Sequence, residues 1–221
     1  MKNFMLGSLN SYEIAPHNQT PKSCVIFLHG YGANWQDLIG IGQEWQSALP
    51  DTVFISPDAP EPCEMGGGGR QWFSLSEYSL PAMEREITKP WPALEGYINA
   101  VAQHYTLNFD QIILCGFSQG TMMSLYALPR MQKALGGVLG YSGRLIGERA
   151  FEKKTNVRTP IYLAHGEADP VVHIDSWHHA STILKANEYE IDGHTTPGLP
   201  HGIDTLGIEK GLIFIQKILS E

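Results

Sequence analysis

Short runs of consecutive apolar residues recur along the chain, and stretches with apolar residues at helical spacing lie between them. Cys24 to Leu28 (CVIFL), Val53 to Ser56, Gln111 to Cys115 (QIILC), Gly136 to Tyr141 and Ile161 to His165 lack the alternation of a strand with one wet face. Each is read as a strand covered on both sides, the pattern of a parallel sheet between helical layers. Trp35, Leu38, Ile39 and Trp45 recur near helical spacing behind Asn34, a suitable N-cap, although Gly40 and Gly42 interrupt the pattern. Trp91, Leu94, Tyr97, Ile98, Val101, Ala102 and Tyr105 predict a helix, and Pro90 and Pro92 fit only at its first turn. Further helices are predicted over Gln119–Leu128, stopped by Pro129, over Asp175–Ala186 and over Asp204–Leu219, with Glu188–Ile191 as a last strand. Strand and helix alternate without a linker or repeat. This predicts a single α/β domain over residues 1–221, a mostly parallel central sheet with helices on both faces.

The exception is Asp58 to Leu80, which reads as one long irregular stretch holding the glycine run Gly66 to Gly69 and the Trp72-Phe73 pair. Long loops inside compact domains carry function or move. The glycine run is not a phosphate cradle, because no Lys-Ser/Thr follows it and no strand-loop-helix setting surrounds it.

Composition narrows the picture. Hydrophobic residues at 43% against 17% charged supply a sizeable core and exclude a disordered acidic chain. A net charge of −8 without a run of like charge excludes a surface built to neutralise phosphates, so no nucleic acid is expected as a partner. Three cysteines cannot make a disulfide framework, and Cys24 and Cys115 lie in strand-like runs, which points to a reducing, cytoplasmic setting. No apolar run approaches the roughly 20 residues of an integral membrane span, and the first residues carry no signal-peptide core.

Gly116-Phe117-Ser118-Gln119-Gly120 fits G-x-S-x-G between a predicted strand and a predicted helix, the setting that a nucleophile elbow needs. There the Ser118 hydroxyl would stand above the sheet edge, with the Gln119 amide at a positive helix N-terminus. A serine needs a histidine base oriented by a carboxylate. Asp169 follows the strand ending in LAHGEAD, and His201 lies in the loop before the last helix, giving the chain order Ser, Asp, His. His194, read as part of a polar turn, is the rival base. Glu167 and Asp175 are the rival acids. His29 and His165 are read as hydrogen-bonded structural histidines. Asp175, His178 and His179 could share a helix face, but with no fourth ligand apparent they are read as a solvated face, and no metal is expected. His29-Gly30-Tyr31-Gly32 follows the first strong strand, so the Tyr31 amide would join that of Gln119 in an oxyanion hole.

These residues, in the blocks VIFLHGYGAN, PDAP, QWF, CGFSQGTMMSLYA, GYSGRL, LAHGEADPVV and GLPHGID, resemble the bacterial phospholipase/carboxylesterase family, which includes the acyl-protein thioesterases. The likeness runs from about Cys24 to the last helix. It implies an α/β-hydrolase fold without a separate cap domain, Ser118, Asp169 and His201 as triad, Tyr31 and Gln119 as oxyanion donors, and no cofactor. It implies a small acyl ester or thioester as substrate, and a homodimer, since family members often pair. It also implies an acyl groove flanked by the loop around Trp72, Phe73 and Leu75 and lined in part by Val171 and Val172. Ser74 stands where an Asp often follows the WF pair, and Arg144 where the family often has an apolar or aromatic residue.

The expected activity is therefore hydrolysis of short-to-medium acyl esters or thioesters through an acyl-enzyme. The alternatives are a peptidase on the same scaffold and a binding protein that has lost catalysis. For the glycine-rich loop two readings stand: a lid whose Trp72 and Phe73 cover an acyl chain, or a loop whose Trp72 packs into the core.

Overall fold

The computed structural model describes residues 2–18, 20–152 and 157–220. In it the apolar runs become the interior of an eight-stranded sheet. The strands are β1 (Lys2–Leu6), β2 (Leu9–Ile14), β3 (Ser23–Leu28), β4 (Thr52–Pro57), β7 (Ile112–Phe117), β8 (Gly137–Tyr141), β9 (Ile161–Gly166) and β10 (Ile191–Thr196), while β5 (Glu61–Pro62) and β6 (Arg70–Gln71) form a separate two-residue ladder. The spatial order is β1-β2-β4-β3-β7-β8-β9-β10. The first two pairings are antiparallel and the rest are parallel.

Helices α1 (Gln36–Trp45) and α6 (Thr205–Ser220) cover one face. Helices α2 (Leu80–Glu86), α3 (Trp91–Tyr105), α4 (Gln119–Ala127) and α5 (Asp175–Ala186) cover the other. The alternation of side chains along a strand divides the core accordingly. Cys24, Ile26 and Leu28 of β3 join one layer and Val25 and Phe27 the other, and all are fully buried. A strand so covered must be apolar at every position, which is why these segments read as continuous runs. Gly42 serves packing: a Cβ there would lie 2.9 Å from Phe54 Cβ, so α1 rides close on β4 only because it is bare at that point. The N-cap position of α1 is Trp35 and not the expected Asn34, which lies one residue earlier and whose Oδ1 accepts from the Gln36 amide at 2.9 Å.

The structure corrects the reading in three further places. An N-terminal hairpin, β1–β2, precedes the first apolar run; its one deeply buried polar side chain, Ser11, donates to Tyr97 Oη at 2.8 Å. The stretch after Asp58 contains the β5–β6 ladder and ends in α2, whose cap, Ser79, accepts from the Ala82 amide at 3.3 Å. The last strand lies at Ile191–Thr196 rather than Glu188–Ile191, so His194 sits in a strand and not a turn. As an edge strand of half-exposed residues, β10 carries no apolar signature.

Among the described residues no helix is long and apolar enough to cross a membrane. The parallel strands β3, β7, β8, β9 and β10 all end on the same edge of the sheet, and Tyr31, Ser118, Gln119, Asp169 and His201 lie in the segments that follow β3, β7, β9 and β10.

Candidate active site

Between the end of β7 and the start of α4 only Ser118 makes the turn, with φ 51° and ψ −112°, a backbone conformation L-residues rarely adopt. Its neighbours explain how the turn closes. A Cβ at Gly116 would lie 2.5 Å from the Gly120 carbonyl carbon, and one at Gly120 only 1.8 Å from Leu28 O. The Ser118 amide donates to Tyr141 O at 2.9 Å, tying the elbow to β8. As the first residue of α4, Gln119 has an amide with no acceptor inside the helix.

The loop after β3 leans on this turn. A Cβ at Gly30 would meet the Phe117 ring at 3.1 Å and Ser118 Cβ at 3.5 Å, so the loop packs closely on the side chains of the elbow. The Gly32 amide donates to Arg70 O at 2.9 Å and the Ala33 amide to Gly30 O at 3.2 Å, while the Tyr31 amide has no acceptor among the described residues. Two amides, of Tyr31 and Gln119, thus remain without an acceptor among the described residues, one in each of the two segments that meet at Gly30 and Ser118, the kind of donor that an oxyanion hole needs.

On the acid–base side, Asp169 is buried at the turn after β9, its Oδ1 accepting from the Val171 and Val172 amides at 2.8 and 2.9 Å. His201 Nδ1 lies 2.7 Å from Asp169 Oδ2. An ionised carboxylate only accepts, so Nδ1 carries the proton and Nε2 is left free as a base. Burial pushes the Asp169 carboxyl up, but the bonds from His201 and the two amides outweigh it and hold the group below the usual carboxylate range. The His201 ring packs 4.9 Å from the Phe117 ring, beside the serine, although the Ser118 hydroxyl itself has no hydrogen-bond partner among the described residues. The His201 loop is seated by backbone contacts. The Glu167 and Ala168 amides donate to Thr196 O and Leu199 O at 3.0 Å each, Ser142 Oγ donates to Gly202 O at 3.2 Å, and a Cβ at Gly166 would lie 2.2 Å from Leu199 O.

The other histidines are engaged elsewhere. His29 is buried, donating from Nδ1 to Gly30 O at 2.7 Å and accepting the Ala59 amide at Nε2 at 3.0 Å. His165 donates from Nε2 to Val172 O at 2.7 Å, and the same nitrogen lies 3.5 Å from Asp169 Oδ2, so this histidine alone among them stays beside the acid. Burial lowers both imidazoles below their ordinary value. His194 lies against Tyr162, its Nδ1 2.9 Å from Tyr162 Oη, and makes no contact with Asp169. His173 lies 3.1 Å from Asp175, and His179 bonds Glu148 at 2.7 Å.

The groove residues divide. Val171 is 54% exposed and Leu75 half-buried, but Trp72, Phe73 and Val172 are within 1% of full burial and belong to the core. Trp72 and Phe73 therefore do not line an open groove in this structure; the core-packing reading describes them. The reason is Gln119, whose own side chain is fully buried: its Oε1 accepts the Trp72 amide and its Nε2 donates to Phe73 O, both at 2.8 Å. The Trp72 indole donates to His29 O at 3.1 Å.

Sequence reasoning missed two side chains. Besides the Gln119 amide clamp there is Glu64, whose carboxylate accepts from Tyr31 Oη at 2.9 Å, Ser74 Oγ at 2.8 Å and the Leu75 amide at 2.9 Å. The bond from Ser74 is the main cause that holds Glu64 below the usual carboxylate range. The glycine run docks on the same loop: a Cβ at Gly69 would lie 1.9 Å from Gly32 O. Gln119 gave a signal in its place next to the serine, and Glu64 gave none, being one acid in an irregular stretch.

The chain is similar to known proteins over most of its length. The chain is 30% identical to acyl-protein thioesterase 1 of Yarrowia lipolytica, covering 93% of itself and 96% of that protein. Against acyl-protein thioesterase 1 of Debaryomyces hansenii the identity is 28%, over 94% of this chain and 96% of the other. The crystal structure of esterase PE8 superposes with a TM-score of 0.91 at 30% identity, covering 95% of this chain and 99% of that one. Both named thioesterases are fungal, so these likenesses reach the family and not a bacterial branch of it. The sheet order and helix placement are those of the α/β-hydrolase fold. Residues 9–219 match the phospholipase/carboxylesterase family, and the chain belongs to it.

Proposed function

We propose that this chain is a serine hydrolase that cleaves short-to-medium acyl esters and thioesters through an acyl-enzyme. The observation that carries the reading is the 2.7 Å contact between Asp169 and His201, packed against the residue before a strained serine. Ser118 attacks the carbonyl carbon while His201 Nε2 takes its proton, Asp169 holds the imidazole in the needed tautomer, and the Tyr31 and Gln119 amides bind the oxyanion. His201 returns the proton to the leaving alcohol or thiol, and water activated by the same imidazole frees the acid. No cofactor enters this cycle. The reading includes a single domain without a separate cap. It also includes a cytoplasmic setting, supported by the buried free thiols of Cys24, Cys63 and Cys115. The quoted motif blocks support membership of the bacterial branch of the family, and the homodimer implied by the resemblance belongs to the same proposal.

A fluorophosphonate probe should label Ser118, and Ser118→Ala should lose label and at least roughly three orders of magnitude in kcat on acetyl to octanoyl esters, with an unchanged circular dichroism spectrum. Turnover by Ser118→Ala close to that of the unmodified enzyme would overturn the reading.

A further inference from the structure

Beyond the triad, the same edge of the sheet carries a pocket of about 290 Å³ between α2, the segment after β8 and the start of α5. Leu80, Leu145 and Ile146 give it apolar walls. One charged group reaches into it from the protein side. Arg144 is half-buried, and its Nε donates to Ser176 Oγ at 3.3 Å. Its remaining guanidinium N–H groups have no acceptor among the described residues, and it takes part in no ion pair there. A guanidinium has five N–H donors in a planar fork, so Arg144 holds unused capacity in the geometry that suits a carboxylate.

The pocket also meets three acids, and they are placed differently. Glu148 is bonded to His179, and Asp175, whose side chain is 84% exposed, lies beside His173. Glu84 is exposed on α2. Charges at such a rim are screened by water and salt, whereas the half-buried Arg144 guanidinium, bonded to no carboxylate among the described residues, is screened less. Its position relative to the chemistry follows from the chain. Gly143, the preceding residue, packs against the elbow, where a Cβ would lie 3.2 Å from Ser118 O. Ser142, one residue earlier, bonds the carbonyl of Gly202 beside His201. Arg144 therefore directly follows two residues that brace the elbow and the His201 loop.

We propose that this pocket recognises an anionic group, a carboxylate in the simplest case, carried by the ester or thioester substrate, and that Arg144 is the specificity-determining residue. The proposal rests on Ser118 being the nucleophile. The anion can sit on the acyl part or on the leaving alcohol, and paired substrates separate the two. The acyl-side pair is a 4-nitrophenyl hemiester of a C4–C8 dicarboxylic acid and the methyl-capped diester of equal length. The alcohol-side pair is the acetate of 4-hydroxybenzoate and that of its methyl ester. For at least one pair the ratio of kcat/KM, anionic over neutral, should fall about tenfold or more in Arg144→Gln, through KM, and be partly restored in Arg144→Lys. Arg144→Met, which keeps the aliphatic stem, should behave as Arg144→Gln. Unchanged ratios in Arg144→Gln and Arg144→Met for both pairs overturn the proposal while leaving the hydrolase standing. Failure of the unmodified enzyme to cleave any member of either pair, anionic or neutral, would instead strike the hydrolase reading itself.

Discussion

Where Gly30, Gly116 and Gly120 meet, the backbones approach so closely that a methyl group at Gly120 would lie 1.8 Å from Leu28 O. Where Asp169 and His201 meet, the chain is held by hydrogen bonds to one buried carboxylate, which accepts from an imidazole and two backbone amides. The first arm of the site is positioned by missing side chains and the second by a charge. A contact made possible by glycine is broken by adding atoms; a contact made by a charge is broken by removing it with the shape intact. The two arms should therefore fail under different substitutions and in different observables.

The largest effect is expected on the charged arm. Asp169→Asn keeps the volume but offers an amide donor that favours the wrong imidazole tautomer, so kcat should fall by roughly 10³ to 10⁴ while the thermal melt changes little. A loss below tenfold would mean that the carboxylate does not orient the base. On the glycine arm Gly120→Ala should act first on the fold, because both partners of the clash are backbone: about 3 kcal/mol of stability should be lost, read from the shift of a urea midpoint. A midpoint close to that of the unmodified protein would show that the elbow has slack, and the contrast between the arms would vanish.

The smallest effect sharpens the comparison through pH. His29, at the foot of the glycine arm, and His165, beside Asp169, are both held below the ordinary imidazole value by burial. In the unfolded chain each takes up a proton below about pH 6.5, whereas in the fold each resists it. The unfolded state then binds more protons, so stability falls as the pH drops from about 6.5 towards the lower folded values. Asp169 has its folded value below the unfolded one, so its contribution persists down to about pH 4 and is lost only as the pH falls further. A melting temperature that stays flat between pH 7.5 and 5 would show that the two histidines pick up protons without cost.

The parts of the fold legible in the sequence were those where burial on both faces leaves a continuous apolar mark. The run CVIFL appears as β3, and the spacing from Trp91 to Tyr105 marks α3 at both ends. The hairpin β1–β2 and the edge strand β10 left no such mark, because a strand with half-exposed residues has no reason to be apolar. The elbow at Ser118 was legible because that turn demands glycine on both sides of the serine, and Asp169 and His201, read from their places after strands, come together at 2.7 Å. The place of Trp72 was not. Its burial depends on the Gln119 amide, 47 residues away, and no local pattern reports a contact of that kind.

The chain order of the two arms has a consequence in time. Pairing of β3 with β7, which sets Leu28 opposite Gly116, requires nothing beyond the elbow segment, whereas the carboxylate and the imidazole come from the turns after β9 and β10. Synthesis runs from the N-terminus, so the ribosome delivers Ser118 well before Asp169 and His201. In the mechanism proposed above, the newborn serine would stay an ordinary hydroxyl until Thr196 and Leu199 bond the amides of Glu167 and Ala168. On that mechanism the latch that seats His201 would also arm the enzyme.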